Sequence, residues 1–472
     1  MRGTEAALLA ALCLSAATGA QAAAPGEAAP REAWQPPTLT TTRYDEDWSR
    51  LSDPGVRTGR WTEPFKYIPL NGSGSAWAST GIEVRLRSES FDNNLWGRTE
   101  APDDGYLWTR LLPYADLHVG SVRAFVQPMA AYARGVAAGA GPIDRSGLDL
   151  LQGFVDLTLP VTADATLKLR GGRQMLPLGT ERLVGTRYGP NVPLAFDGVR
   201  ADLAHGSATV SLFLVNPVKS GTGSFDDRSS PTKKLWGVYS RLPGMDLYYL
   251  GYRNRSAHFG GLSGREVRHS LGLRSHGVSG AWHWNVEGVY QFGHFSGRSI
   301  SAWTLGSELG RHFPAVPLHP HAVLRVNIVS GDRDAADGKV GTFNALFPKG
   351  KYFGELSPAG PYNIVSVNPS LSVGLAPDVT LGVATMAYWR YARGDGIYDI
   401  PGNLIRGSKT AAGANANGQF IGKEAEATLS WQATPELELS TSLSAFQAGA
   451  FLRETGPART IGMIGIEANF RV

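Results

Sequence analysis

Arginine and lysine side chains on alternating segments are the groups in this chain that could do chemistry. Residues 81–87 read Gly-Ile-Glu-Val-Arg-Leu-Arg, so apolar and charged side chains alternate. Successive side chains of a strand point to opposite faces, so the charges share one face. The planar guanidinium binds a carboxylate through two hydrogen bonds, whereas a lysine offers a point charge. Such a face predicts a contact surface for carboxylated solutes; the alternative is that each arginine forms a cross-strand ion pair that stiffens a wall.

The candidate substrate-binding residues lie opposite an apolar stripe or in a long polar loop. On strands they are Arg85, Arg110, Arg123, Lys168, Arg170, Arg173, Arg325 and Arg390, and in a loop they are Lys349 and Lys351. Arg173 breaks the strict alternation that starts at Leu169, so it reaches this face only if a bulge intervenes. Carboxylates share the same face, which predicts a heavily charged and hydrated interior with a small cationic excess, because unpaired charges are costly in a dry core.

No catalytic residue, metal site or cofactor is predicted. The sequence contains no His-Glu-x-x-His, no Gly-x-Ser-x-Gly and no phosphate-binding loop that ends in Lys-Ser or Lys-Thr. The segment 319–321, His-Pro-His, has no cysteine or carboxylate nearby in sequence, so we predict no metal there. The segment 332–338 could offer oxygens to Ca²⁺, but it lacks the closing glutamate of an EF-hand loop and is interpreted as a solvated acidic turn.

Composition and the amino terminus exclude several classes of protein. A formal net charge of +4 without a basic run interleaved with aromatics gives no reason to expect nucleic-acid binding. No stretch after residue 24 has 18 consecutive apolar residues, which excludes a helical membrane protein. Residues 1–22, with an apolar run and an Ala-Gln-Ala site at 20–22, read as a secretory signal peptide. We expect residues 23–70 to form a leader and N-terminal segment, and residues 71–472 to form a barrel.

Alternation with a period of two continues from Trp77 to Val472 in about eighteen segments separated by Gly, Asn, Asp and Pro. Short links, such as that at 242–245, contrast with long ones at 331–362 and 394–417. In a soluble sandwich the apolar face would lie inside; in a barrel in lipid it lies outside and charges line the lumen. The secretion signal, the even strand number and the unequal links predict an all-β fold, a transmembrane antiparallel β-barrel of about 18 strands in the bacterial outer membrane.

Several words of the sequence are similar to those of a known family. They are Glu46-Asp47-Trp48, residues 66–70 (Lys-Tyr-Ile-Pro-Leu), Gly172-Arg173-Gln174, residues 187–192 (Arg-Tyr-Gly-Pro-Asn-Val), Phe196-Asp197-Gly198 and, most distinctive, residues 343–353 (Phe-Asn-Ala-Leu-Phe-Pro-Lys-Gly-Lys-Tyr-Phe). From about residue 44 to the end the chain resembles the alginate export family of outer-membrane porins.

The resemblance implies a monomeric eighteen-stranded barrel with an arginine-rich constriction that loops partly cover. The residues expected at the constriction are Arg110, Arg123, Arg170, Arg173 and Arg325. Lys349 and Lys351 are expected in a loop that folds over the mouth. The implied substrate is an anionic polysaccharide such as alginate, which the founding member of the family exports.

The function expected from the sequence is passive passage of an anionic polysaccharide or oligosaccharide through a charged, arginine-containing lumen. The expected partners are that solute, outer-membrane lipid and periplasmic export proteins. Two alternatives stay open. One is a substrate-specific uptake porin for small carboxylates or oligosaccharides, and the other is a secreted all-β enzyme acting on polysaccharide.

Overall fold

The computed structural model of the protein describes residues 34–99 and 101–472. The predicted signal peptide at 1–22 and the leader up to residue 33 lie outside the described residues. Within them, the helices are too short or too polar to cross a membrane. The described chain is almost entirely strand, turn and loop.

Eighteen long strands form the wall, and their bounds follow the segments of alternation. They are β1 (Ala76–Asp92), β2 (Asp104–Val119), β3 (Val122–Arg134), β4 (Gly147–Pro160), β5 (Ala165–Gln174), β6 (Phe196–His205), β7 (Ala208–Lys219), β8 (Lys233–Leu242), β9 (Met245–Phe259), β10 (Leu262–Ser279), β11 (Trp282–Phe295), β12 (Arg298–His312), β13 (His321–Val329), β14 (Ile364–Ala376), β15 (Val379–Arg390), β16 (Phe420–Thr434), β17 (Leu437–Ala448) and β18 (Ile461–Arg471).

The remaining elements are short and lie in connections. Three helices are α1 (Glu63–Lys66), α2 (Asn94–Gly97) and α3 (Ala450–Thr455); 3₁₀ turns cover Arg43–Asp45, Ser49–Ser52 and Pro54–Val56; small strands cover Ile68–Pro69, Arg228–Ser229, Lys339–Val340, Ile397–Tyr398 and Leu404–Arg406.

The wall closes on itself because its first and last strands pair. Each long strand is hydrogen-bonded antiparallel to its neighbours in sequence, and β18 pairs with both β17 and β1, with Arg471 opposite Glu83. Closure leaves no sheet edge, so every strand has two partners. The predicted closed barrel of eighteen antiparallel strands is confirmed.

The outer face of the wall is apolar. Leu212, Leu271 and Ile466 are about half exposed there, although all are large aliphatic side chains. Exposed aromatic residues lie near both ends of the strands, for example Trp431 at one end and Tyr290 at the other. An apolar outer band between two aromatic girdles is the surface that a barrel presents to lipid.

The two ends of the barrel differ in their connections. At one end, which we call the turn end, most links are short, such as 120–121, 206–207 and 377–378. At the other, the loop end, lie the long connections 175–195, 330–363 and 391–419. Short turns face the periplasm in bacterial outer-membrane barrels, so the turn end is assigned to that side.

Two of the long connections, residues 175–195 and 330–363, fold into the barrel, and we call them the inner loops. They meet in a short parallel bridge between Val184 and Phe347. The Gly185 amide donates to the Phe347 carbonyl at 2.8 Å, and the Phe347 amide donates to the Leu183 carbonyl at 2.8 Å. Each inner loop therefore fixes the position of the other.

The inner loops bring apolar side chains into the barrel, where they form a packed core with strand residues. Phe343 and Phe347 are buried against strand residues near the loop end, where Phe196 lies 5.4 Å from Phe347 between ring centroids. This corrects the expectation of a hydrated interior along the whole barrel, because the loop-end half is filled by packed side chains. Alternation assigns a face only to strand residues, so it could not show that loop residues fill the lumen.

The N-terminal segment enters the interior from the turn end. Tyr44 packs edge-on against Phe125 and Phe154, with ring centroids 5.8 and 5.3 Å apart. Lys66, in α1, is almost fully buried and donates to the Tyr114 hydroxyl at 2.7 Å. This segment is part of the same compact unit as the wall, which spans residues 37–472.

Candidate functional site

Two arginines of the wall hold the first inner loop by its main chain. Arg85 donates from Nη1 to the Tyr188 carbonyl at 2.9 Å and from Nη2 to the Pro190 carbonyl at 2.8 Å. Arg110 donates from Nη1 to the same two carbonyls, each at 3.2 Å, and its guanidinium lies 4.1 Å from the Tyr188 ring centroid. We call these two residues the arginine clamp. The clamp holds the segment 187–192, whose sequence is part of the family resemblance.

The clamp leaves no guanidinium free for a solute. Arg110 is fully buried and donates from Nη2 to Glu83 Oε1 at 2.7 Å, while Tyr188 donates its hydroxyl to the other oxygen of Glu83. Arg85 is 2% exposed. Both arginines face the interior, but they act on protein carbonyls and on a buried carboxylate.

The second inner loop is held by an ionic network. Lys351 contacts Glu89 of β1 with Nζ 3.1 Å from Oε1, and it also pairs with Glu355 of its own loop. Arg87 bridges Glu355 at 2.8 Å and Glu467 of β18 at 2.7 Å. Lys351 therefore fastens the loop to the wall.

A polar cavity of about 480 Å³ lies inside the turn end, and we call it the basic cavity. Its charged lining residues are Asp45, Arg123, Asp156, Lys168, Arg170, Arg200, Asp202 and Arg241. Five of these are cationic and three are carboxylates, which leaves an excess of two positive charges. Tyr44 and Pro177 also line it, so the N-terminal segment and the first inner loop both border this cavity.

The cations of the basic cavity fall into two groups. Arg170 donates to both oxygens of Asp156 at 2.7 and 2.8 Å, and Arg123 donates to both oxygens of Asp116 at 2.7 and 2.6 Å. In contrast, Lys168 and Arg241 have no hydrogen bond or ion pair from their side chains to any described residue. Lys168 is half-buried and Arg241 is exposed. These two cations are available to a solute.

A second, smaller cavity of about 270 Å³ lies against the opposite wall. Its cations are Arg182, Arg325 and Lys349, and its carboxylate is Glu308. Arg325 is 52% exposed and lies 2.6 Å from Glu308. Burial inside the barrel lowers the pKa of Lys349 below its ordinary value, and the nearby charges of Arg325 and Arg182 are the next largest causes of this shift.

Arg182 of the first inner loop was not among the residues expected from the sequence. Its Nε lies 3.2 Å from Glu287, and Nη1 donates to the Tyr352 hydroxyl at 2.6 Å. It fits because Gly306 faces it, where a Cβ would come within 2.0 Å of Nη2. Because Arg182 lies in a loop, alternation could not predict where its side chain points. The one signal in the sequence was Gly306, since a glycine within a strand indicates that another group approaches it closely.

Two of the expected pore-lining residues are elsewhere. Arg173 lies on the outer face, because β5 pairs with β6 without a register shift and Arg170 faces inward. It donates to both oxygens of Asp197 at 2.8 and 3.1 Å and to the Leu150 carbonyl at 3.0 Å. The bulge that would have turned it inward is absent from this strand pair.

Arg390 faces inward but is 1% exposed. Its guanidinium donates to four main-chain carbonyls of the 391–419 connection, including Ala416 at 2.9 Å and Gly418 at 2.6 Å. It therefore anchors a loop and does not line an open space.

The acidic segment 332–338, interpreted from the sequence as a solvated turn, is mostly exposed and forms a series of turns. Asp332, Asp334 and Asp337 each accept a backbone amide two residues further on, at 3.1, 2.9 and 2.8 Å. These are Asx turns, in which the carboxylate replaces a main-chain acceptor. Among the described residues, two clusters bring three metal-ligating atoms within 4.8 Å of one another: Asp149 with Asp226 and Asp227, and His283 with His312 and His321. In the acidic cluster, one oxygen of Asp149 already accepts the amides of Asp226 and Asp227.

A closed barrel of eighteen strands with an apolar outer face, a charged inner face and loops folded into its lumen defines an outer-membrane channel of the porin type. Solved porins of Pseudomonas aeruginosa have the same fold. OccK9 (OpdG) aligns with a TM-score of 0.57 at 11% identity, covering 84% of this chain and 98% of that one. OccK11 (OpdR) aligns at 0.53 and 13% identity, covering 84% and 96%. OccK2 (OpdF), in complex with glucuronate, aligns at 0.53 and 13% identity, covering 86% and 98%.

The alginate export family matches residues 76–462, and the chain belongs to that family. The match begins with the first wall strand and ends within the last. No curated protein sequence matches the chain. Family and fold together indicate a channel of the bacterial outer membrane, which is not a class of enzyme.

Proposed function

We propose that this channel passes a carboxylated saccharide, a polyuronate such as alginate or its oligomers, by passive diffusion, and that the basic cavity is where the solute binds. The observation that carries the proposal is the pair of unpartnered cations, Lys168 and Arg241, on the wall of a cavity with a net positive lining. A carboxylate bound there gains charge-assisted hydrogen bonds without displacing a protein partner.

The clamp, the ionic network and the apolar core point to gating by the inner loops. These loops close the loop-end half of the lumen, so a polymer passes only when they move aside. Arg325 is exposed and lines the smaller cavity together with Lys349, so a solute on that route would meet further cations.

A second candidate function is uptake of a small carboxylate. A cavity of about 480 Å³ falls in the size range of small-molecule sites. One porin of the same fold is in complex with glucuronate and another with vanillate, and both ligands are carboxylates. The same cations would serve either function, so the length of the solute decides between them.

The test is single-channel conductance of the refolded protein in a planar bilayer, titrated with polyuronate oligomers, with glucuronate and with a neutral oligosaccharide of matched length. We expect block by the oligomers and not by the neutral sugar. Removing Lys168 and Arg241 together as methionines should weaken the block at least tenfold, about 1.4 kcal/mol. Arg173→Met, on the outer face, is the matched control.

Equal block by glucuronate and by the longer oligomers would favour the small-carboxylate porin. Block that is unchanged in the double variant, or equal for charged and neutral sugars, would overturn the assignment of the basic cavity as the binding site.

A further inference from the structure

Three histidines of adjacent strands meet on the inner face of the turn end. His283 lies on β11, His312 ends β12 and His321 begins β13. One ring nitrogen of each lies within 4.8 Å of the other two. His312 and His321 are direct cross-strand partners, so the wall itself holds these two together.

The rings are packed against one another. Those of His312 and His321 are parallel within 6°, with centroids 3.8 Å apart, and the His283 centroid lies 5.0 Å from that of His321. Gly310, directly opposite His283, leaves the space that the His283 ring fills, since a Cβ there would come within 2.0 Å of Cε1 and 2.4 Å of Nε2. The strand pairing and this glycine thus place three imidazoles at one point.

The polar groups of the cluster are incompletely satisfied. None of the three rings makes a hydrogen bond to a described residue, and Nε2 of His321 is buried without a partner. The nearest carboxylate is Glu308, whose Oε1 lies 3.6 Å from His283 Nε2. A buried nitrogen without a partner calls for an explanation, and a bound cation would provide one.

We propose that His283, His312 and His321 form a binding site for a divalent transition-metal ion of the Zn²⁺ class, with Glu308 or water as the fourth ligand. Neutral imidazole suits Zn²⁺, Cu²⁺ and Ni²⁺, whereas Ca²⁺ and Mg²⁺ prefer oxygen. Ligands about 2.0–2.1 Å from a tetrahedral ion lie roughly 3.4 Å apart. Nitrogens already within 4.8 Å of one another reach that spacing through small side-chain rotations.

The bound ion would act on the channel as well as on the wall. It joins three consecutive strands, so it stabilises the folded barrel by mass action. Glu308 also pairs with Arg325 in the smaller cavity, so an ion at Glu308 adds positive charge beside that space. Zn²⁺ should therefore raise the preference of the channel for anions.

The experiment uses the mature chain refolded without a histidine tag and measures Zn²⁺ binding by calorimetry and by metal analysis after dialysis. We expect one ion per chain, with no competition from Mg²⁺, and a visible absorption typical of tetrahedral coordination when Co²⁺ replaces Zn²⁺. His312→Ala and His321→Ala should each weaken binding at least tenfold. His205→Ala is the matched control, because His205 also lies at the turn end, is exposed and pairs with Asp164.

A second readout keeps the test independent of solute transport. Zn²⁺ should shift the reversal potential of the wild-type channel in a salt gradient toward anion selectivity, and it should have no effect in His321→Ala. The heat-modifiable migration of each variant shows whether its barrel has formed. Absence of a stoichiometric ion in the wild type, or the same stoichiometry and affinity in folded His321→Ala, would overturn the proposal.

Discussion

The two halves of the barrel interior differ in the side chains that fill or line them. In the loop-end half, the inner loops and the strands pack an apolar core that includes Phe347 and Phe446. In the turn-end half, charged side chains surround the basic cavity. A single strand shows the change, because the inner face of β7 runs from Thr209 and Ser211 near the turn end to Phe213 and Val215 near the loop end.

The chemistry of the inward-facing side chains therefore depends on what each part of a strand faces, and is not uniform over the whole barrel. Where a loop fills the lumen, the inner face of the wall packs apolar side chains against it, and the charged wall residues there are buried in contacts with the loop or with one another. Where water or a solute fills it, the inner face is charged, and most arginines there are neutralised by a neighbouring carboxylate. The arginine clamp lies where the two halves meet and joins the wall to the first inner loop.

The largest expected effect comes from placing a charge in the loop-end core. In Phe347→Asp the lost ring costs about 3–5 kcal/mol, and a buried unpaired carboxylate costs several more. We expect the inner loops to separate and the single-channel conductance to rise severalfold. Phe347→Leu, which keeps an apolar side chain, is the control and should stay near the wild-type conductance. Unchanged conductance in a folded Phe347→Asp barrel would mean that the apolar contact does not hold the lumen closed.

A slightly smaller effect is expected at the boundary between the halves. Arg110→Ala leaves Glu83 buried without its main partner, which typically costs about 3–5 kcal/mol. The first inner loop should loosen, so trypsin should cleave after Arg187 faster than in the wild type. Arg325→Ala removes an exposed ion pair, which is worth about 0–1 kcal/mol, and should leave that cleavage rate unchanged. Equal rates in the two variants would contradict the role of the clamp.

A pH effect is expected at the turn end, where Lys66 is buried in the N-terminal segment. The pKa of Lys66 is lowered from 10.5 to about 7. Desolvation by burial is the largest cause, and the charge of Arg43 is the second. Below about pH 7 the lysine is charged whether the segment is docked or free, so docking bears the full cost of the buried charge. Between pH 7 and 10.5 only the docked lysine loses its proton, so docking strengthens as the pH rises, by about 2–3 kcal/mol between pH 7 and 9.

Limited proteolysis of residues 40–67 with proteinase K at pH 7 and pH 9 measures this change. The wild-type segment should be better protected at the higher pH, after correction for the intrinsic activity of the protease. Lys66→Met removes the titrating group, so its protection should not depend on pH. Better protection of the wild type at the lower pH would reverse the sign and exclude this mechanism.

The smallest effect is expected for Arg173, which touches neither half of the interior. Arg173→Met breaks a partly exposed pair with Asp197, so a loss of about 1 kcal/mol in stability is expected. Conductance and ion selectivity should match the wild type. A clear shift in selectivity would indicate that this side chain faces the lumen after all.

Whether the position of a residue could be predicted from the sequence depends on the kind of element in which it lies. Strand residues such as Arg85 and Arg123 could be placed on the inner face because a strand has a fixed period. The same rule placed Arg173 correctly on the outer face, and the error came from allowing a bulge for which the structure gives no register shift. Arg182 lies in an inner loop, where no period exists, and could not be placed at all.

The histidine cluster shows the same limit in another way. His319-Pro320-His321 looked poor in ligands because its partners are distant in sequence. His283 and His312 come close only through the pairing of three strands. Spacing along the chain detects ligands on one helix or one turn, and it does not detect a set assembled across a sheet.

The sequence by itself determined the alternating segments and which face of each is apolar, because both are local properties of the chain; the secretion signal expected at the amino terminus stays a prediction. The tertiary structure alone decided which charges remain free. Ion pairing between strands neutralises most of the predicted arginines. Main-chain carbonyls of the first inner loop bind Arg85 and Arg110, and those of the 391–419 connection bind Arg390. Lys168 and Arg241 face open space without a partner among the described residues, since closing the barrel and folding the loops inward bring together residues that are far apart in sequence.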